Sequence, residues 1–202
     1  MPFATKIGLL LSAATFLASG QSGGRFEETK RQALAYLESD QYDRAAGKLE
    51  EIWEQDHSDP TVAENLALAY LNGDDRRYHP EAETKARDLF EQSLHAGGRA
   101  TFMVQHSHEK AGFFEGRIIT NYCVGMLSVS PGRLVYVARA RKGVEAHSFD
   151  VSADDVRLTK PDDMGVFTIK TKAKNYTLIP RNRIKGDSDV IVEVIREQLG
   201  TK

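Results

Sequence analysis

Two five-residue stretches decide how this chain is read: Ala33-Leu34-Ala35-Tyr36-Leu37 and Ala67-Leu68-Ala69-Tyr70-Leu71. Ala33 and Tyr36 of the first return 34 residues later as Ala67 and Tyr70 of the second. Around the first stretch, Ala33, Tyr36 and Leu37 precede Ala45, Leu49, Ile52 and Trp53, at spacings that put them on one helical stripe. Asp40-Gln41-Tyr42-Asp43 interrupts the pattern and is suited to cap a second helix, and Ser58-Asp59-Pro60 ends that helix. The second stretch lies in a helix predicted over 62–71. A turn at Asn72-Gly73-Asp74-Asp75 leads from it into a fourth helix over 81–94. Residues 25–97 are thus expected to form two α-hairpins.

Beyond Gly97-Gly98 the apolar period shifts from helical towards two. Phe102, Val104 and His106 alternate with Met103, Gln105 and Ser107. Residues 124–129, a Ser130-Pro131-Gly132 turn and residues 134–138 predict a β-hairpin. A strand over 147–151 and a turn over 152–155 follow, then a second hairpin from 166–171 and 175–179 around Lys172 to Lys174. Asp187 and Ser188 are placed to cap a last helix with one buried face at Val190, Ile191, Val194, Ile195 and Leu199. The expected fold class is α+β: two α-hairpins, then an antiparallel β domain over 100–202 closed by a C-terminal helix.

Charge divides at the same place. Residues 21–98 carry 9 Lys+Arg against 17 Asp+Glu, a net of −8, and residues 99–202 carry 17 against 12, a net of +5. Opposite signs let the two stretches attract one another, and docking of one on the other is the simplest account. At 41% hydrophobic and 28% charged residues, the chain has enough apolar surface to offset chain entropy, which argues against disorder. Cys123 is the single cysteine, so no internal disulfide can form.

The first 20 residues have the grammar of a secretory signal peptide. Lys6 supplies a positive start, residues 7–18 are almost wholly apolar or small, and Ala18-Ser19-Gly20 offers small residues before Gln21. That apolar run falls short of the roughly 20 residues that span a bilayer. Export to the periplasm or the extracellular space is expected, with cleavage before Gln21. Retention at the membrane by an uncleaved segment is the alternative. No cysteine follows the run, which argues against a lipid-modified N-terminus of the bacterial kind.

On these residues the acidic stretch resembles the tetratricopeptide (TPR) repeats. Ala33 and Tyr36, then Ala67 and Tyr70, match the family's small and aromatic positions in the first helix at the family period. Ala45, Leu49 and Ile52, then Ala86, Phe90 and Ser93, match those of the second helix, of which Ile52 and Ser93 are imperfect. A seven-residue insertion around 75–81 departs from the pattern. The resemblance covers 26–96. It implies that an extended protein ligand is read from the concave face by Lys30, Leu34, Leu37 and Glu38, then by Glu64, Leu68, Leu71 and Asn72. Two repeats are fewer than a free-standing stack needs, so the β domain is expected to lean on them.

The stretch 100–200 resembles the pleckstrin-homology (PH)/GRAM superfold. The resemblance rests on the order of its elements and on Gly125-Met126-Leu127-Ser128-Val129-Ser130-Pro131-Gly132-Arg133-Leu134-Val135-Tyr136, which is similar to the family's glycine–strand–turn–strand start. That superfold hosts unrelated functions and supplies none by itself. Membrane-binding members place basic residues after the first strand. Here residues 109–116 hold only Lys110 and two acids, which argues against phosphoinositide recognition.

Two constellations carry chemistry. His106 and His108 are two apart and share a strand face, so with Cys123 and His147 they compose a candidate metal site. Lys170, Lys172 and Lys174 alternate along a predicted strand and compose a strip for an anionic lipid or polysaccharide; the plain alternative is a solvated edge that resists unwanted pairing. Catalytic signatures are missing: the sequence has no glycine-rich phosphate loop, no Gly-x-Ser-x-Gly elbow and no His-Glu-x-x-His. The reading is a non-enzymatic exported adaptor that binds a protein partner at a bacterial-type cell envelope. It expects no cofactor, no nucleic acid and no small-molecule substrate.

Overall fold

The computed structural model describes residues 22–74, 81–107, 112–114, 117–119, 122–139 and 147–200. The expected signal segment 1–20 lies outside them, as does His108. Four helices come first: α1 (Ser22–Glu38), α2 (Tyr42–Trp53), α3 (Pro60–Asn72) and α4 (Ala82–His95). They form successive hairpins, α1 on α2, α2 on α3 and α3 on α4. Ala33, Ala45, Ala67 and Ala86 are fully buried at the crossings, where the small side chain lets helix backbones approach.

The ends of these helices differ from the sequence reading between α2 and α3. Asp59-Pro60 begins α3 and does not end α2, which stops at Trp53. Asp59 Oδ1 accepts hydrogen bonds from Thr61 N at 2.8 Å and Val62 N at 3.4 Å, while Pro60 fills the first helical position, where its missing N–H costs nothing. The cap of α2 is Gln41, without a side-chain bond. Asp40 instead turns the chain with φ of 58°.

The second part is a seven-stranded antiparallel sheet and a helix. Its strands are β1 (Ala100–Ser107), β4 (Tyr122–Ser130), β5 (Arg133–Ala138), β6 (Phe149–Ser152), β7 (Arg157–Leu158), β8 (Phe167–Lys170) and β9 (Asn175–Pro180), followed by α5 (Lys185–Leu199). The order is β6-β5-β4-β1-β9-β8-β7. Neighbours in the sequence are therefore neighbours in space, except where β1 joins β9 and leaves β6 and β7 as the edges. Within the β1–β4 connection, β2 (Gly112–Phe114) and β3 (Arg117–Ile119) add a separate small hairpin that no expected element covers. Gly125 of β4 has no room for a Cβ, because the Val137 carbonyl and the Tyr136 ring of β5 lie against it. The chain passes from α4 to β1 through Gly97, whose φ of 79° favours glycine.

The apolar interior is continuous. Buried residues from α1 to α4, from one face of β1, from the strands beside it and from α5 belong to one cluster. Phe90 of α4 meets Phe102 of β1 at 4.6 Å between ring centroids. α5 packs on α4, β4 and β9 through Val190, Ile191, Val194 and Ile195. It starts at Lys185, earlier than the cap expected at Asp187 and Ser188, and both of those are buried in its first turn. Ser188 Oγ donates to Gly165 O at 2.5 Å. The Glu83 carboxylate of α4 lies against Gly186, where a negative charge suits a helix N-terminus.

Candidate functional site

β9 ends on Pro180, and Arg181 N still donates to Met103 O of β1 at 3.1 Å. That last rung aims the Arg181 guanidinium out of the sheet and into the helices. Its Nη1 donates to the Tyr42 hydroxyl at 3.2 Å and lies 3.1 Å from both Met103 Sδ and Asp40 Oδ1, while Nη2 donates to Asp40 Oδ2 at 3.2 Å. The next residue, Asn182, donates through Nδ2 to Leu71 O, near the end of α3, at 2.9 Å. Tyr42 completes the knot by donating to Asp40 Oδ1 at 2.8 Å.

These contacts form one wall of an open, polar cleft of about 480 Å³. The helical side supplies Gln41, Asp43 and Arg44 from the start of α2 and Asn72 and Asp74 from the end of α3, and the sheet side supplies Arg181 and Asn182. Burial alone would raise the Asp40 carboxyl, but hydrogen bonds from Tyr42 and Arg181 outweigh it and hold Asp40 below the ordinary carboxylate value. Burial pushes the Tyr42 hydroxyl up, and its bond to Asp40 pushes it further. At neutral pH the knot is a carboxylate, a neutral phenol and a guanidinium. It suits the recognition of polar and charged groups; no member is poised to exchange a proton.

A second acid crosses the same junction with the opposite character. Glu64 of α3 is buried, accepts from Arg99 Nε at 2.9 Å, and is hydrogen-bonded by Thr101 Oγ1. Here desolvation wins, and the Glu64 carboxyl is raised despite the Thr101 and Arg99 bonds. Asp40–Arg181 and Glu64–Arg99 both join an acidic helix residue to a basic residue of the second part, as the charge division led one to expect. Arg87–Glu193, at 3.4 Å between α4 and α5, runs the other way.

The residues expected to line a concave face are mostly occupied by the protein itself. Glu64, Leu68 and Leu71 are buried, and Asn72 is half-buried with its amide donating to Leu68 O. Lys30 is paired with Asp59 at 2.7 Å. Leu34 and Leu37 are half-buried and Glu38 is exposed. β1 packs against α3, where Glu64, Leu68 and Leu71 are buried.

The lysine strip is not a strand face. Lys170 ends β8, but Lys172 and Lys174 sit in the turn before β9, where the Thr171 side chain bonds the backbone of 173 and 174. Period-two alternation stops at the turn, so the three ammonium groups are not aligned. Lys172 pairs with Asp155, and Lys174 lies 5.7 Å from the Tyr176 ring centre.

Three of the four metal candidates do come together. His106 and Cys123 are register partners across β1 and β4, both buried, with Cys123 Sγ 3.7 Å from His106 Nδ1. The His147 ring stands edge-on to the His106 ring at 5.4 Å. Among the described residues no group of three or more His, Cys, Asp or Glu is arranged to hold a metal ion.

Asp40, Tyr42, Arg181 and Asn182 went unread as a site in the sequence. The signal available there was the charge division, which says that arginines after residue 98 seek acids before it, but not which ones. No family model matches the chain, and no curated protein matches it either.

Proposed function

We propose that this chain is a non-enzymatic adaptor, two TPR-like hairpins docked on a PH-like domain, that binds a protein partner in the cleft between them. The observation that carries the proposal is the cleft at the junction, walled by both parts and held open by the Asp40–Tyr42–Arg181 knot. A concave helical face occupied by the protein's own sheet moves recognition away from the surface such repeats ordinarily use. The cleft's exposed Gln41, Asp43 and Arg44 offer donors and acceptors of both signs to a polar segment of a partner.

Two further observations support the family likenesses. Buried alanines recur at the small-residue positions of both hairpins, Ala33 and Ala67 in the first helices, Ala45 and Ala86 in the second. The sheet is a meander joined from its first strand to its last and packed by a C-terminal helix, as a PH-like domain requires. Export rests on Lys6, the apolar run after it and the small residues before Gln21.

A photo-crosslinking residue tests the binding surface. Placed at Gln41 in the cleft, it should capture a defined protein from envelope extracts, and capture should fail when Arg44→Glu is added. The same residue at Glu51, exposed on α2 outside the cleft, should capture nothing. Equal capture at both positions, or none at Gln41, refutes the cleft as the site. Export is checked separately by the mass of the mature chain, which should begin at Gln21.

A further inference from the structure

The β4–β5 hairpin departs from the alternation of a sheet with one wet face. An antiparallel sheet packed on one side ordinarily turns polar side chains to water on the other. β6 and β8 do so: Asp150, Ser152 and Lys170 are exposed, while Phe149, Phe167 and Ile169 are buried. In β4 and β5 the side chains that alternate with buried Cys123, Leu127, Leu134 and Tyr136 are Val124, Met126, Val135 and Val137. The first three of these are half-buried, and Val137 is 41% exposed. Register joins them into one patch. Met126 lies opposite Val137, and Gln105 of β1 lies between Val124 and Ile179 of β9. The main neighbours of β5 are β4 and β6, not a helix. Met103, opposite Met126, carries the apolar row on until the Tyr42 hydroxyl and the Arg181 guanidinium meet its sulfur.

One margin of the patch is basic. Arg139, the residue after β5, is exposed, and its N donates to Val124 O at 2.7 Å. Arg183 is exposed, and its Nη2 donates to Gln105 Oε1 at 3.5 Å. Arg181 ends the row that runs through Met103. The carboxylate at this margin is Asp40. Its burial would raise it, but bonds from Tyr42 and Arg181 hold it low, and the charge of Arg139 adds to them. One acid thus answers Arg181 and Arg139 together, and Gln105, the partner of Arg183, is neutral, so the margin keeps a net positive charge. The other acid on this face, Asp150, is tied to Arg133. Among the described residues two that are not glycine have positive φ, Asp40 at 58° and Arg183 at 57°, and both stand at this margin. A left-handed backbone is uncommon outside glycine and collects where a side chain is held for a purpose.

An apolar patch with a charged margin marks an interaction surface, and the sign of the margin selects the partner. We propose that the outward face of β4 and β5 docks an acidic segment of a partner protein, with apolar side chains on Val124, Met126 and Val137 and carboxylates on Arg139 and Arg183. The proposal rests on the reading of the chain as a protein-binding adaptor and names the partner's chemistry, but it does not need the cleft. A membrane fits the face less well. Insertion into a bilayer calls for apolar side chains that protrude, whereas Val124, Met126, Val135 and Ile179 are half-buried in the sheet surface. The Asp40 carboxylate at the margin would also oppose anionic headgroups. A peptide segment can lie along the strands with its apolar side chains in the patch and its acids turned to the arginines.

The test uses the purified full chain and three fluorescent peptides of one length, alternating Leu-Glu, Leu-Lys and Ser-Glu, read by fluorescence anisotropy. The Leu-Glu peptide should bind at least about tenfold more tightly than either of the others, because only it offers both the apolar side chains and the right sign. Arg139→Glu should weaken it by more than about tenfold, and Val137→Glu, which sets a carboxylate in the middle of the patch, by more than about 100-fold. Both positions are exposed, and circular dichroism checks that the variants fold. A photoreactive leucine in the Leu-Glu peptide needs no variant and should label β4 or β5 of the wild type. Equal affinity for the three peptides, or affinity unchanged by Val137→Glu, overturns the proposal. Label on α2 instead overturns the face and supports the cleft, whereas label on β4 or β5 with no capture at Gln41 keeps the face and refutes the cleft. Two other occupants would also overturn it. One is a phosphatidylglycerol vesicle that binds when the Leu-Glu peptide does not and is released by Arg139→Glu. The other is a second copy of the chain, seen as a dimer in sedimentation that Val137→Glu dissociates.

Discussion

The same five residues, Ala-Leu-Ala-Tyr-Leu, occur in α1 and in α3 and are buried to very different extents. Ala33 and Ala67 are both 0% exposed, and Tyr36 and Tyr70 are both half-buried. The other three positions diverge. Leu34 and Leu37 are half-buried and Ala35 is exposed, whereas Leu68, Ala69 and Leu71 are all buried. α1 packs chiefly on α2, while α3 is packed by α2, α4 and β1 together. A repeated sequence therefore fixes a repeated hairpin, and a repeated hairpin does not fix a repeated surface. What would be a binding face in an open repeat has become core in the second copy.

Matched substitutions sharpen or break this comparison. Leu68→Ala should cost about 2–5 kcal/mol of stability in urea unfolding, the range for emptying a packed core site. Leu34→Ala, its counterpart in α1, should cost about 1 kcal/mol, because roughly half of that side chain's transfer energy was gained on folding. Equal costs would mean that the sheet does not cover α3 in solution.

Adding volume asks the same question from the other side. Ala69→Leu should destabilise by about 1–3 kcal/mol through overpacking. Ala35→Leu faces solvent, and its midpoint should stay within about 0.5 kcal/mol of wild type.

The two hairpins also differ in how their helices begin. Asp59→Ala removes the cap of α3 and the Lys30 ion pair, and should cost about 1 kcal/mol in the same assay. Gln41→Ala removes no side-chain cap bond at α2, so a change within about 0.5 kcal/mol is expected.

The smallest effect concerns the knot at the junction. Arg181→Met should cost no more than about 1 kcal/mol, since the Asp40–Arg181 pair is over a third exposed and solvent screens it. Its pH dependence is the sharper readout. Asp40 is held below its ordinary value of 3.8, so its stabilisation is present above that pH and fades as pH falls through the lower folded value. The gap between wild type and Arg181→Met should therefore close in acid. Glu64 runs the other way: its folded value lies above its ordinary 4.5, so stability falls as pH rises from 4.5 through that value. Thermal melts of Glu64→Gln against wild type should diverge on the alkaline side of 4.5. Parallel curves would mean that Glu64 is not buried.

Much of the fold was legible because it depends on local periodicity. The α+β class, the four helices, the hairpin through Pro131-Gly132, the hairpin through residues 171–174 and the closing helix all follow from apolar spacing and turn residues. Where reading failed, a residue had two local roles to choose from. Asp59 before a proline can end one helix or start the next, and its side chain caps only the second. Lys172 and Lys174 alternate like strand residues, yet Thr171 draws the backbone into a turn between them. Cys123 and His106 are 17 positions apart, and only the β1–β4 register sets them opposite one another.

Taken alone, the sequence determined the four helices, the two main hairpins and the closing helix, and that the acidic stretch precedes the basic one. These are properties of neighbours along the chain, whose geometry is set by a period of 3.6 or 2. The tertiary structure decided that α3 is core, that Asp40 and Arg181 close one wall of a cleft, and that a histidine and a cysteine meet inside the sheet. Each of those depends on contacts between residues far apart in sequence, and no local period encodes which distant partner a side chain will meet.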